Sequence, residues 1–284
     1  MNNKKSDISK VIKFEELSWK KIEEFDKDKT IIFLPISPME EHGPHLPVGT
    51  DYLISSHAAS DAIRILNKEK PKLKSILFPA IPLGFCDFNT DFPGSISTSG
   101  KTIKKIIFDI GSNLAEHGFK FLIICTYHMS LAHLGAINSA IKKIEKKYDM
   151  KCYEPWGPYF YGGLIEKNEP ELGFDTTKEV HAGFRETSVI KYQYPYLLDK
   201  SYKQLQSIYR DLNSPKMIYK KFKELGLKDG YVGSPARADA DYGRWFYGET
   251  VKTYVNSAKD LIEGKKLPEL PKKIKAEMKM LFFK

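Results

Sequence analysis

Residues 119–126, FKFLIICT, hold the short, unbroken apolar run FLIIC (121–125) and are bounded by Gly118 and by the polar Tyr127–His128. A run of this kind suits a strand covered on both faces. TIIFLPI (30–36) repeats the pattern and ends in a loop, and SILFPAI (75–81) does so with Pro79 limiting its end. Helical spacing fills the gaps. Leu53, Ile54, Ala58, Ala62 and Ile65 share a face after Thr50 or Asp51, either of which can cap a helix. Ile103, Ile106, Ile107, Ile110 and Leu114 follow Ser99–Gly100 and stop near Gly118, and Leu131, Leu134, Ile137, Ile141 and Ile144 follow the strongest strand. Strands alternating with helices of this length imply βαβ units. The expected fold class is therefore α/β, with a mainly parallel sheet covered by helices on both sides.

The rest of the chain is less regular. EPWGPYFYGGL (154–164) is dense in aromatic and turn-forming residues and reads as an active-site wall or an oligomer contact. From Thr187 to Gly264 the pattern is mostly helical, broken at GYVGSPARADADYG. No internal repeat or linker divides the sequence. We expect a flexible polar N-terminal tail over 1–12 and a single α/β domain over 13–284.

Composition narrows the function classes. No stretch approaches the roughly 20 apolar residues that span a bilayer, and MNNKKSDISKVIKF carries charges without an apolar secretory core. The three cysteines, Cys86, Cys125 and Cys152, are far apart and form no CxxC pair. That pattern fits a cytoplasmic protein and excludes a thiolate zinc knuckle. The net charge of +9 raises nucleic acid as a partner. The lysines, however, alternate with glutamates on solvent faces, as in IKKIEKKY, and only the stretch from Lys265 onward is markedly basic. We read a solvated surface, with neither nucleic acid nor membrane as partner.

Chemistry concentrates in MEEHGPHLPVGTD (39–51), directly after the first strong strand. In open parallel sheets ligands bind beyond the carboxyl ends of strands. A loop there offers Glu40, His42, His45 and Asp51, a set of hard and borderline metal donors. Gly43–Pro44 turns the chain between the two histidines. ICTYHMS brings His128 to the same sheet edge, and EVHAGFRETS adds Glu179, His181 and Glu186. A lone histidine at a strand end is usually a hydrogen-bonded structural residue, which is the reading for His57, His117 and His133. Three clusters, two of them following apolar strands, favour a metal centre.

These motifs also carry a family resemblance. EEHGPHLPVGTD resembles the E-Q-H-G-P-H-L-P-x-x-T-D signature of the creatininase (creatinine amidohydrolase) family. FPGSIS (92–97), HGFKFLIICTYH, HAGFRETS and GYVGSPARADADYG resemble further family segments in the same order, from about residue 30 to 250. The resemblance implies a three-layer α/β/α sandwich, often a hexamer, that hydrolyses C–N bonds in small or cyclic substrates. By position, Glu40, His42, Asp51 and His128 fall on metal ligands, with Asp51 where a carboxylate bridges two divalent ions. His181 falls on a histidine that transfers protons and Glu186 on a nearby carboxylate. One or two divalent ions per chain follow, zinc first and manganese or iron as alternatives. His45, locked between Pro44 and Pro47, reads as a brace.

The departures are informative. Where the family supplies another carboxylate ligand, this chain has Ser130 and Phe184. The N-G before the histidine is Thr126–Tyr127, and a common G-x-S-x-E-H is GFCDFN (84–89). Creatinine itself is therefore not the expected substrate. Asp87 or Glu186 could complete a second metal position, and Asp87, Tyr127 and Trp156 are expected to line the substrate site. Alternative readings are a hydrolase opening a cyclic diketone or lactone of sugar or inositol catabolism, and a ligand-binding relic without turnover. A basic nucleic-acid binder ranks last.

Overall fold

The computed structural model describes residues 10–210 and 220–282. Five strands, β1 (Ile12–Lys13), β2 (Thr30–Pro35), β3 (Lys74–Leu77), β4 (Phe121–Cys125) and β5 (Lys151–Tyr153), form one parallel sheet in the order β1-β3-β2-β4-β5. Parallel neighbours need crossovers. These are α2 (Thr50–Glu69), α3 (Gly100–Glu116) and α4 (Leu131–Lys147), while α1 (Trp19–Glu23) precedes β2. After the sheet come α5 (Trp156–Tyr161), α6 (Leu164–Asn168), α7 (Phe184–Gln193), α8 (Ala240–Ile262) and α9 (Lys272–Phe282).

Alternation along the central strands sorts the core into two layers. Ile31, Phe33, Ile123 and Cys125 pack with residues of α2, α7 and α8. Ile32, Leu34, Leu122 and Ile124 pack with residues of α3, α4 and α9. The result is an α/β/α sandwich, as expected. Truncating a fully buried side chain such as Leu34 or Ile123 to alanine would cost about 2–5 kcal/mol. Helices α3 and α4 approach so closely that a Cβ at Gly111 would lie 2.4 Å from Cδ1 of Ile144, so any larger residue there would force the Ile144 side chain to shift.

Several sequence expectations change. Residues 1–9 of the expected tail lie outside the described residues, but Ile12 pairs with Ile76 as the edge strand, so ordered structure begins before residue 13. On α2 the buried stripe runs Ile54, Ala58, Ala62, Leu66, while Ile65 is 38% exposed, because the i+4 row continues past it. The mostly helical pattern expected from Thr187 to Gly264 is interrupted far more than anticipated. Pro195 disfavours helical geometry at Tyr194 and α7 stops at Gln193. The described residues between there and α8 are loops with short 3-10 turns. Isolated bridges tie them to one another, Ile208 with Gly233, and to the segment before α7, Val232 with His181. No helix among the described residues is long and apolar enough to cross a membrane.

The topology fixes where a site can form. From β2 the chain moves to β3 on one side, then returns to β4 on the other, so the carboxyl ends of β2 and β4 flank the crevice where strand order reverses. Both strands are buried on both faces, and Pro35 pairs with Cys125 at their ends. The two donor-rich loops leave from these ends.

Candidate metal centre

Beyond β2, the backbone N–H of Glu40 donates to the carbonyl of Val48 at 2.8 Å, closing the loop that leads into α2. Gly43 turns this loop with φ +67°, and a Cβ there would lie 2.9 Å from Nδ1 of His45. The loop thereby sets Glu40, His42 and, in the first turn of α2, Asp51 around one point. His128 arrives from the end of β4, three residues past Cys125. Glu40, His42 and Asp51 are at most 1% exposed and His128 is 5% exposed.

The histidine geometry is that of ligands. Nδ1 of His42 lies 2.9 Å from the carbonyl of Glu40, an acceptor only, so Nδ1 carries the proton. Its Nε2 then faces Oδ1 of Asp51 at 3.5 Å and Oε1 of Glu186 at 3.8 Å, without a hydrogen bond. His128 repeats the arrangement with its nitrogens exchanged. Nε2 donates to the carbonyl of Phe85 at 2.8 Å, and Nδ1 faces Oε2 of Glu40 at 2.7 Å and Oδ2 of Asp51 at 3.1 Å. Oε2 of Glu40 has no aligned hydrogen bond despite the short separation, and Oδ1 of Asp51 has none either. Lone pairs converging in a buried space repel one another unless a cation, a proton or a metal, stands between them. Glu40–Asp51–His128 and His42–Asp51–Glu186 each place one donor atom per residue within 4.8 Å of the others, sharing Asp51. The donor chemistry fits a divalent ion.

Without the ion the cluster holds protons instead. Burial works against a charged His128, but the carboxylates of Glu40 and Asp51 outweigh it and push the imidazole up to about 10. His42 is raised in the same way, against its own burial, by Asp51 and Glu186. Asp51, although buried, is held well below the usual carboxylate range by these two histidines.

His181 stands beside this cluster, its ring centroid 4.4 Å from that of His42. Its Nε2 donates to the carbonyl of Glu41 at 2.8 Å and lies 3.5 Å from Oε1 of the same residue. Glu186 reaches in from α7, with Oε2 accepting from the N–H of Ala182. Tyr127 is 4% exposed and its hydroxyl has no hydrogen-bond partner among the described residues. Ionised Glu186 and Asp51 add to burial in pushing that phenol up, so the hydroxyl lies in their field.

Other expected residues sit elsewhere. Asp87 is exposed in a 3-10 turn and belongs to none of the candidate metal-holding groups. Trp156 is 1% exposed, with Tyr127 and Tyr159 stacked on it and Phe246 edge-on, so its ring is core and not a free wall for substrate. Glu179 is structural: its Oε2 accepts from the N–H groups of Phe184 and Ser234 at 2.6 and 2.9 Å. Phe184 packs on Phe174 and Tyr242. His45 braces the loop by bonding Thr187 Oγ1 at 2.8 Å, and burial lowers it to about 4.

Three contributors escaped sequence reasoning. Asn89, fully buried, donates to Oε1 of Glu40 at 2.6 Å. Phe88 stacks on His128 and Phe222 sits edge-on to His181, their own centroids 5.4 Å apart. The signal for Asn89 was a polar residue in the loop after the second strand, where a carboxylate was sought at Asp87.

Residues 15–258 match the family model Creatininase, described as creatinine amidohydrolase, and the chain belongs to this family of amidohydrolases. It is 24% identical over 206 residues to the creatinine amidohydrolase of Pseudomonas putida, covering 68% of this chain and 75% of that one. It is 29% identical over 171 residues to a mycofactocin precursor peptide peptidase of Mycobacterium tuberculosis, covering 58% of this chain and 59% of the relative, less than two thirds of its length. A creatininase structure designated Mn superposes with a TM-score of 0.68 at 20% identity, covering 88% of this chain and 98% of that chain.

Proposed function

We propose that the chain is a metal-dependent hydrolase of a C–N bond in a small, amide-like substrate other than creatinine. The observation that carries this reading is the pair of buried imidazole nitrogens, His42 Nε2 and His128 Nδ1, each opposed to carboxylate oxygens while the ring's other nitrogen meets a backbone carbonyl. The named relatives, which cleave creatinine or a precursor peptide, and the manganese form of creatininase support it.

Glu40, Asp51 and His128 would hold the ion, with His42 reaching the far oxygen of Asp51. Zinc, manganese and iron all suit this mix of carboxylate and imidazole donors. When bound, the ion polarises a carbonyl and lowers the pKa of its water towards about 7. The remaining work belongs to the chain. His181, pinned through Nε2 to the Glu41 carbonyl, keeps Nδ1 free to take up a proton and return it to the leaving nitrogen. The Tyr127 hydroxyl is a buried donor for a substrate oxygen. Phe88 and Phe222 cover the two histidines, which excludes water and favours a compact substrate over a long peptide. Asp87, Phe88 and Asn89 stand where the creatininase motif carries x-E-H, which argues against creatinine itself.

The test is elemental analysis of protein never exposed to chelator, followed by hydrolysis assays on a panel of cyclic and linear small amides. Protein that carries no ion and takes up neither added zinc nor manganese would sink the proposal.

A further inference from the structure

We infer that His133 is a positioning residue for His128. Neutral and protonated on Nε2 alone, it fixes the Phe85 segment whose carbonyl commits Nε2 of His128, and so leaves Nδ1 of His128 to the ion. This rests on the metal-dependent reading above and deepens it.

His133 lies in the first turn of α4 and is fully buried. Both of its ring nitrogens are engaged. The N–H of Phe85, which can only donate, points to Nδ1 at 3.4 Å, so Nδ1 offers a lone pair and the proton sits on Nε2. Nε2 lies 3.3 Å from Thr126 Oγ1 and donates to it. From there one direction runs through. Thr126 Oγ1 donates to Ser37 Oγ, Ser37 Oγ to Ser55 Oγ, and Ser55 Oγ to the carbonyl of Tyr52, each at 3.2 Å. The N–H of Tyr127 also donates to Ser37 Oγ, at 3.2 Å. This buried chain joins the segments that carry the candidate ligands. Ser37 precedes Glu40, Ser55 follows Asp51 on α2, and Thr126 and Tyr127 precede His128. Members of such a network polarise one another, and an unpartnered member in the low-dielectric interior is costly.

Phe85 is where the chain reaches the ligand. Its N–H is held by His133, and its carbonyl accepts from Nε2 of His128 at 2.8 Å. The neighbouring peptide groups are tied as well. The N–H of Thr98 donates to the Gly84 carbonyl at 2.7 Å, and that of Cys86 to Ser97 Oγ at 3.0 Å. His133 also meets His128 directly, ring edge-on with centroids 5.3 Å apart. One side chain therefore steadies both the imidazole and the acceptor that selects its free nitrogen. Outer partners of this kind contribute about 10–100-fold to metal affinity.

Nitrogen-edited NMR of histidine-labelled protein reads the tautomer, with or without metal. His133 should carry its proton on Nε2 alone, and a proton on Nδ1 would overturn the inference. Cobalt titration, followed by the visible d–d bands that report ligand geometry, reads the consequence. His133→Phe should bind cobalt about 10–100-fold more weakly than wild type, with shifted bands. His133→Gln, which keeps an acceptor for the Phe85 N–H, should restore both. Wild-type affinity and bands in His133→Phe would overturn the inference, as would equal losses in the two variants, which would reduce His133 to packing. Should His133→Phe not fold, the tautomer and the cobalt affinity of His133→Gln, expected at the wild-type level, decide instead. A wild type that takes up no cobalt would overturn the metal-dependent reading itself.

Discussion

Asn89 Nδ2 donates to Oε1 of Glu40 at 2.6 Å, leaving Glu40 only Oε2 to present to His128. The bond fixes the rotation of a buried carboxylate that would otherwise have several orientations. Outer partners of this kind are worth about 10–100-fold in metal affinity. Asn89→Ala should weaken the ion at Glu40–Asp51–His128 by that factor in a calorimetric titration. Unchanged affinity would show that packing alone orients Glu40.

His181→Ala should lower turnover by about 10²–10⁴, the usual contribution of a general acid or base, while metal content stays at the wild-type level. Loss of metal from this variant would make His181 a ligand instead, since one of its ring nitrogens lies within 4.8 Å of donor atoms of Glu40 and His42.

On the metal-dependent reading, protons and metal would compete for the same lone pairs. In metal-free protein His128 is raised from its ordinary 6.5 to about 10, because Glu40 and Asp51 overcome its burial. A raised histidine stabilises the fold fully below its unfolded value and loses that contribution as pH rises through the folded value. The melting temperature of stripped protein should therefore fall between about pH 6.5 and 10. Bound metal occupies Nδ1 and should flatten this dependence. Binding near pH 8 should also release protons, seen as a calorimetric enthalpy that varies with buffer ionisation enthalpy. Parallel melting curves with and without metal would refute the coupling.

Glu154 offers a separate pH effect away from the centre. It is 3% exposed at the end of β5, where burial raises it to about 7 against the pull of the N–H groups of Trp156 and Gly157. Here the folded state favours the protonated carboxyl, so stability is lost as pH climbs from about 4.5 to about 7. Glu154→Gln retains an acceptor without the charge and should melt higher than wild type at pH 8, with the difference vanishing below pH 4.5. An equal gap at both pH values would refute it.

How much the sequence disclosed depended on the range of the forces involved. β2, β4 and α4 were legible because apolar periodicity is local, and the meeting of Glu40, His42, Asp51 and His128 because the segments that carry them leave neighbouring strand ends. The described loops between Tyr194 and Asp239 were not, since bridges such as Ile208 to Gly233 join segments that sequence periodicity cannot connect. Trp156 misled for the opposite reason. An aromatic cluster looks the same in sequence whether it lines a pocket or, as here, fills the space between Tyr127, Tyr159 and Phe246. Asn89 and Phe222 carry no motif of their own and gain meaning only from the residues they touch.

The donors stand at the ends of β2 and β4, whose side chains are packed by hydrocarbon on both faces. Small zinc-dependent modules collapse around their ion and unravel without it; this scaffold is shaped beforehand. Chelation should thus switch the protein off reversibly, leaving an intact empty socket that can be reloaded with a different ion. Metal identity in the cell would then be set by supply as much as by the site, and exchange of one ion for another becomes a means of tuning rate without altering a residue.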